Sequence, residues 1–149
     1  MMEDLRELYQ EVILDHNRNP KNFKKLENAS HTSEGYNPLC GDRINLYLQI
    51  EDDRIKDISF VGSGCAISKA SSSVMTGELK GKSLAEAKEL FKKFQGIITG
   101  KTEADLTGLD KLSVFAGVRE FPVRVKCAAL AWHTMLEAIE NGTEAISTE

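Results

Sequence analysis

The chain has 149 residues, a formal charge of −4, 41% hydrophobic and 28% charged residues, and three cysteines. That length suffices for one domain with a real core, and the composition is that of an ordinary soluble globular protein. The acidic balance excludes a general attraction to nucleic acid, and no apolar run approaches the ~20 residues that would span a bilayer. The acidic start, Met1-Met2-Glu3-Asp4, runs straight into an amphipathic pattern without the look of a signal peptide. The expectation is a single cytoplasmic domain, 1–149, with neither nucleic acid nor membrane as partner. An odd cysteine count without an export signal argues against a disulfide framework. Metal binding, a reactive thiol or plain burial remain.

The first element is a helix from Asp4 to about His16, with Leu5, Leu8, Tyr9, Val12 and Ile13 on one side. Asp4 and Glu7 have the spacing of a cap and its reciprocal partner, and Asn17-Arg18-Asn19-Pro20 stops the helix. His16 falls in the last turn, where an imidazolium suits the negative helix end, a structural role rather than ligation. Lys21 to Lys25 is a short basic patch, either a solvated loop or a docking surface. Leu26 to Asn37 is polar and irregular, at most a short edge strand, and His31 within it reads as exposed and without a partner.

A hairpin follows. Ile44, Leu46, Leu48 and Ile50 alternate with Asn45, Tyr47 and Gln49, the pattern of a half-buried antiparallel strand. Glu51-Asp52-Asp53-Arg54 turns the chain, and Ile55 to Val61 returns with Ile58 and Phe60 on one face. Beyond the Gly62-Ser63-Gly64 turn, a helix runs from about Ala66 to Leu79 with Ile67, Ala70, Val74 and Met75 inward. Its Ser71-Ser72-Ser73 run serves either close packing or local hydrogen bonds. Ser83-Leu84-Ala85-Glu86 is a capping box opening a helix to about Gln95, stopped at Gly96. Residues 97–117 are the least regular, with short helical turns around Asp105–Phe115. Pro122, in the first turn, opens the last helix, which runs to about Glu140 with Val123, Cys127, Leu130, Ala131 and Thr134 on one face; the tail, Thr143–Glu149, is loose.

Cys65 stands where a helix begins, beside orphan backbone N–H groups and the positive end of the helix dipole. Both favour thiolate, which makes it a nucleophile or a metal ligand; the alternative is a small buried residue in a tight turn. The hairpin adds Cys40, because the start of one antiparallel strand lies beside the end of the next. Cys40 and Asp42 are two residues apart, so in extended chain both face one way, and Gly41 lets the backbone bend around a small ion. If the last helix packs on the sheet, Cys127 joins them. Three thiolates and a carboxylate supply the four ligands of a tetrahedral zinc site, although thiolates equally suit iron–sulfur clusters. His133, six residues after Cys127, is about 240° around the helix at ~100° per residue and belongs at a polar edge.

Asn37-Pro38-Leu39-Cys40-Gly41-Asp42, the run Gly64-Cys65-Ala66-Ile67-Ser68-Lys69-Ala70-Ser71-Ser72-Ser73, and Cys127 near the start of a long C-terminal helix resemble, in order and context, the IscU-like iron–sulfur cluster assembly scaffold family. The resemblance spans essentially the whole chain. It implies an α+β fold, a small antiparallel sheet of about three strands with helices packed on it, and a site of Cys40, Cys65 and Cys127 with Asp42 beside them. Lys126 stands where the housekeeping scaffolds have histidine, and the segment before it is longer and contains Gly117-Val118-Arg119-Glu120-Phe121-Pro122-Val123-Arg124. Both features resemble the SufU type. That branch implies bound zinc on Cys40, Asp42, Cys65 and Cys127, and sulfur acceptance from a SufS-type cysteine desulfurase for delivery to a downstream cluster assembly complex. It also implies that a partner histidine replaces one zinc ligand and frees a thiolate. Cys40, on a Pro/Gly-bounded loop, is the expected sulfur acceptor, with Cys65 and Cys127 keeping the metal. Lys126 either acts on the anionic site or faces solvent; Arg119 and Arg124 either dock a partner or flank the loop. Two other readings stay open: a scaffold on which an iron–sulfur cluster is built, and a structural zinc module that binds partners.

Overall fold

A four-stranded sheet carries the chain, in the order Arg54–Ser63, Asp42–Glu51, His31–Asn37, Ala145–Ser147. In the computed structural model, which describes residues 2–100, 112–141 and 145–147, the strands are β1 (His31–Asn37), β2 (Asp42–Glu51), β3 (Arg54–Ser63) and β4 (Ala145–Ser147), and the helices are α1 (Met2–Arg18), α2 (Ala66–Leu79), α3 (Leu84–Thr99) and α4 (Pro122–Asn141), with a 3₁₀ segment at Leu112–Glu120. β1, β2 and β3 form the expected antiparallel sheet. Alternation dictates which face is covered: Ile44, Leu46, Leu48, Ile58 and Phe60 are buried, while Arg43 and Asn45 between them are exposed. Leu46 pairs with Phe60 and Leu48 with Ile58, with a register shift at Gln49/Ile50. The apolar face packs against α2 and α4.

α4 is the central helix. Cys127 to Trp132 are all buried, as expected of a helix enclosed on more than one side. Trp132 stacks on Phe94 of α3, with ring centroids 4.6 Å apart, and donates its Nε1–H to Ser71 Oγ at 3.2 Å. Ser71 donates its own O–H to the Ala128 carbonyl at 2.6 Å, so a buried hydroxyl fastens α2 to α4. The serine run thus serves both purposes proposed for it. Ser72 bonds back to the Ser68 carbonyl at 2.9 Å, and Ser73 Oγ meets His16 Nδ1 and the Lys21 N–H, each at 2.7 Å. His16 thus has a structural role, though through Ser73 of α2 rather than through the negative end of its own helix as the sequence suggested.

Several sequence expectations are corrected. The 31–37 segment is a full strand, and it is not at the edge, because β4 pairs with it in parallel. The tail therefore includes a strand, which its composition did not announce; three residues pairing across more than a hundred positions leave no local pattern. His31 is half-buried, and its Nδ1 lies 2.8 Å from Ser30 Oγ. Asp4 cannot cap α1, which begins two residues earlier. α3 continues past Gly96, which is buried within it, because Ile97 and Ile98 extend the apolar stripe; the left-handed C-cap is Gly100, at φ 74°. Val123 is exposed rather than inward. The short turns expected around 105–115 fall largely outside the described residues; the 3₁₀ segment from Leu112 is what the structure shows of them.

Candidate metal centre

The antiparallel register sets Arg43 opposite Ser63. The start of β2 therefore lies against the Gly64-Cys65 exit from β3. Asp42, fully buried, seals this junction: its Oδ1 accepts the Cys65 N–H at 2.8 Å. Gly64 is required here. Its φ is +155°, and a Cβ would collide with the Asp42 carboxylate. Cys65 caps α2, its Sγ accepting from the Ser68 N–H at 3.4 Å, and that sulfur lies 3.9 Å from Asp42 Oδ2.

Cys40 reaches the same place from a turn. Gly41, at φ +70°, breaks the extended path, so strand alternation is not what brings Cys40 and Asp42 together; the turn is. α4 supplies Cys127, 2% exposed, with its sulfur 3.1 Å from that of Cys40. Donor atoms of Cys40, Asp42 and Cys127 all lie within 4.8 Å of one another, and Cys65 flanks this triad through Asp42. All four expected residues thus meet at one end of the sheet. His31 starts β1, opposite Leu48 and so at the other end. His133 is directed at α3, where Phe91 packs edge-on at 5.2 Å, and burial lowers its pKa, which favours the neutral ring.

Sequence reading gave Asn37 no role. It is fully buried, donates Nδ2–H to Asp42 Oδ2 at 3.3 Å and to Cys127 Sγ at 3.6 Å, and accepts the Leu39 N–H on Oδ1 at 3.3 Å. Its only signal in sequence is an Asn-Pro step before a cysteine, which reads equally as a turn.

An open cavity of about 530 Å³ gives access to the sulfurs. It is lined by Cys40, Cys65, Ala66, Ile67, Phe121, Pro122, Val123, Arg124 and Cys127. Of these, Phe121 and Val123 leave 46% and 48% of their surfaces exposed, and Leu39, next to Cys40 in the chain, leaves 59%. Arg124 lies over the Phe121 ring at 4.6 Å. Lys126 is half-buried and is not among the lining residues.

The electrostatics differ from the expectation for Cys65. Burial raises its thiol pKa most; the Ser68 N–H pulls it down, and the Asp42 charge raises it again, leaving a net increase. Loss of solvent and an adjacent carboxylate thus outweigh the helix terminus. Burial pushes the Cys127 thiol well up too, helped by its hydrogen bonds with Cys40 and Asp42 and by the Cys65 and Asp42 charges. Soft sulfur donors and one carboxylate oxygen, converging and destabilised as anions by one another, fit a thiophilic divalent cation such as zinc, which would supply the missing positive charge.

A sheet with helices packed on one face and a Cys/Asp/Cys cluster with a further cysteine at the sheet's end define a class of small sulfur- and metal-handling domains. The chain belongs to the NifU-like N-terminal domain family, whose model matches residues 8–128. It is 41% identical over 139 residues to the zinc-dependent sulfurtransferase SufU of Bacillus subtilis, covering 93% of this chain and 91% of that protein. It is 39% identical over 141 residues to the iron–sulfur cluster assembly scaffold protein IscU of Streptococcus pyogenes, covering 95% and 88%. A crystal structure of a candidate scaffold protein for the SUF system from Fervidobacterium islandicum superposes with a TM-score of 0.83 at 39% identity, covering 90% of this chain and 98% of that one. The IscU-like resemblance read from the motifs is borne out, and with it the assignment to iron–sulfur cluster assembly. Among the described residues, no helix is long and apolar enough to cross a membrane.

Proposed function

We propose that this protein accepts sulfur from the persulfide of a SufS-type cysteine desulfurase and relays it to a cluster assembly complex. Cys40 is the acceptor, and Cys40, Asp42, Cys65 and Cys127 hold zinc. The observation that carries the reading is the contrast within one cluster: Cys40 is exposed on a turn, while Cys127 is buried on a helix. The relative named a zinc-dependent sulfurtransferase supports it.

When bound, zinc supplies positive charge that keeps the gathered thiols deprotonated. The chain's own residues do the rest. Asp42 holds the Cys65 backbone through its buried carboxylate, so the α2 side of the site stays fixed while the Cys40 turn moves. The apolar wall of Phe121, Pro122 and Val123 lines an open approach to Cys40, which a partner's surface can cover. In the transfer, the Cys40 thiolate attacks the terminal sulfur of the donor persulfide. A new S–S bond forms on Cys40 as the old one breaks, and the donor cysteine leaves as thiolate. No net oxidation is needed.

The deciding experiment incubates the zinc-loaded protein with a SufS-type desulfurase and cysteine and maps persulfides by mass spectrometry. The expected adduct is on Cys40. Labelling confined to Cys65 or Cys127 would reassign the acceptor, and no labelling at all would leave only a partner-binding zinc module. A second reading, a scaffold that assembles a cluster on the same donors, is favoured by the Streptococcus pyogenes relative. A brown, iron- and sulfide-containing protein on anaerobic purification would select it.

A further inference from the structure

Two fixed points bracket the Cys40 turn. After it, Asp42 is buried and bonded to the Cys65 N–H. Before it, the Leu39 N–H is held by Asn37 Oδ1. Between them lie only Leu39, Cys40 and Gly41, and Leu39 turns its side chain outward. Gly41, at φ +70° with nothing within 4 Å of the position its Cβ would take, is free to pivot. The mobile unit is therefore a short crank carrying one thiol.

Asn37 sits where the crank joins the fixed donors. Its carboxamide has two N–H donors and one carbonyl acceptor, and every one has a partner here: the Asp42 carboxylate, the Cys127 sulfur and the Leu39 amide. Both groups facing Nδ2 are acceptors, and they accept more strongly as the anions that bind a metal, so the amide complements them as ligands. A neutral carboxamide does so without adding charge and without competing strongly with thiolate for a soft cation.

We propose that Asn37 is the positioning residue of this centre: it holds Asp42 and Cys127 in place through Nδ2 and fixes the hinge of the Cys40 turn through Oδ1, so that Cys40 can leave the cluster while the other donors stay. This deepens the reading of Cys40, Asp42 and Cys127 as metal-holding residues and rests on it. Groups that orient metal ligands are worth about 10–100-fold in affinity. The two arms are separable. Asn37→Ala removes both, whereas Asn37→Ser keeps a short oxygen that can accept the Leu39 N–H, as serine does in turns, but loses the reach to Cys127.

The test uses the full chain loaded with zinc and reads three quantities: the rate of zinc release to 4-(2-pyridylazo)resorcinol, the order in which the three cysteines alkylate, and hydrogen exchange at the Leu39 amide. Both variants should release zinc about tenfold faster, and Cys127 should lose its protection relative to Cys40. Leu39 exchange should rise in Asn37→Ala and stay near the wild-type rate in Asn37→Ser. With a SufS-type desulfurase, kcat should fall while KM for the desulfurase is unchanged, because Asn37 is buried and cannot touch it. Wild-type zinc release with wild-type alkylation order would overturn the proposal, as would a lowered melting temperature with no change in either. Should neither variant fold, the wild-type protein still decides: an unprotected Leu39 amide sinks the hinge, and a protected one supports it. Failure of the wild type to take up zinc would instead sink the reading of the site, which separates the two outcomes.

Discussion

Cys40 and Cys127 carry sulfurs 3.1 Å apart, yet their surroundings are opposite. Cys127 belongs to a helix that is buried along its next five residues, and its thiol is pushed up by burial and by neighbouring anions. Cys40 is exposed, on a turn whose following glycine has a left-handed backbone. A ligand that must stay is best placed on a rigid element; a thiol that must leave its neighbours and meet another protein is best placed on a turn. The pair teaches that the difference lies in the backbone that carries each sulfur, since the sulfurs themselves lie side by side.

Removing Cys40 breaks that comparison most completely. Cys40→Ala should cut persulfide acceptance by at least about a hundredfold, the scale on which loss of a nucleophile is felt. The melting temperature of the metal-free protein should hardly move, since substitutions at exposed positions stay within about 0.5 kcal/mol. Cys127→Ala should do the reverse to stability, lowering it by about 1 kcal/mol through a lost buried contact, and should lose zinc. Mass spectrometry and thermal melts on both variants check this. Undiminished labelling in Cys40→Ala would give the acceptor role to another thiol.

The two glycines of the site sharpen the same contrast. Gly64 has φ +155° and no room for a Cβ beside Asp42, whereas Gly41 has φ +70° and open space. Gly64→Ala should therefore cost about 2–3 kcal/mol from backbone strain and displacement of Asp42, and it should weaken zinc retention. Gly41→Ala should cost only about 1–2 kcal/mol, the penalty of a left-handed backbone with a Cβ, and should slow sulfur acceptance by stiffening the turn. Denaturant unfolding separates the two sizes, and equal costs would mean that the turn is as tightly packed as the strand exit.

Much of this is legible in the residues alone. The hairpin announced itself by alternation, α2 by its apolar spacing, and the α3 start by Ser83 and Glu86, whose reciprocal bonds are both present. Strand pairing pointed Cys40 and Cys65 to one end of the sheet and an inward helix face offered Cys127, but it is the motif resemblance that joined them with Asp42 into one site, and the turn at Gly41 that sets Cys40 beside Asp42. What stayed hidden depended on tertiary neighbours. Asn37 is a site residue only because Cys127, ninety positions away, arrives beside it. The β4 pairing is non-local and short. Gly96 looked like a stop because glycine ends many helices, but apolar residues beyond it had somewhere to be buried. The Cys65 thiol was expected to be favoured as thiolate from its helix terminus alone; the burial that overrides it is invisible in a list of residues.

Proton linkage gives a smaller effect, carried by Cys65 and Cys127. Cys65 and Cys127 lie above their ordinary 9.0 in the folded, metal-free protein. The unfolded chain gives up these protons near 9.0, while the folded chain keeps them. Above that pH the folded state therefore binds more protons, and stability falls as pH rises. Below it the contribution is fully present. Metal-free protein should accordingly melt at a lower temperature at about pH 10 than at about pH 8, and Cys127→Ser should remove most of that decline. A melting temperature that rose over this range would contradict the assignment.

The smallest effect should come from the far end of the sheet, where the hairpin tip meets the start of α3. Ser83 caps that helix, accepting the Glu86 N–H at 3.1 Å, while Glu86 Oε1 accepts the Ser83 N–H at 3.1 Å. The same junction is tied to the hairpin by Leu84 N–H to the Asp53 carbonyl at 2.9 Å and Ile55 N–H to the Lys82 carbonyl at 2.8 Å. Losing the cap hydroxyl leaves a helix N–H to solvent, and Ser83→Ala should cost about 1 kcal/mol. The backbone bonds that anchor the hairpin do not involve the hydroxyl, so strand register should survive and zinc release from the opposite end should be unchanged. Parallel measurement of chemical unfolding and zinc release checks both halves. Faster release in this variant would mean that the two ends of the sheet are coupled through β2 and β3, and that the rigidity credited to the cysteines' own elements is a property of the whole sheet.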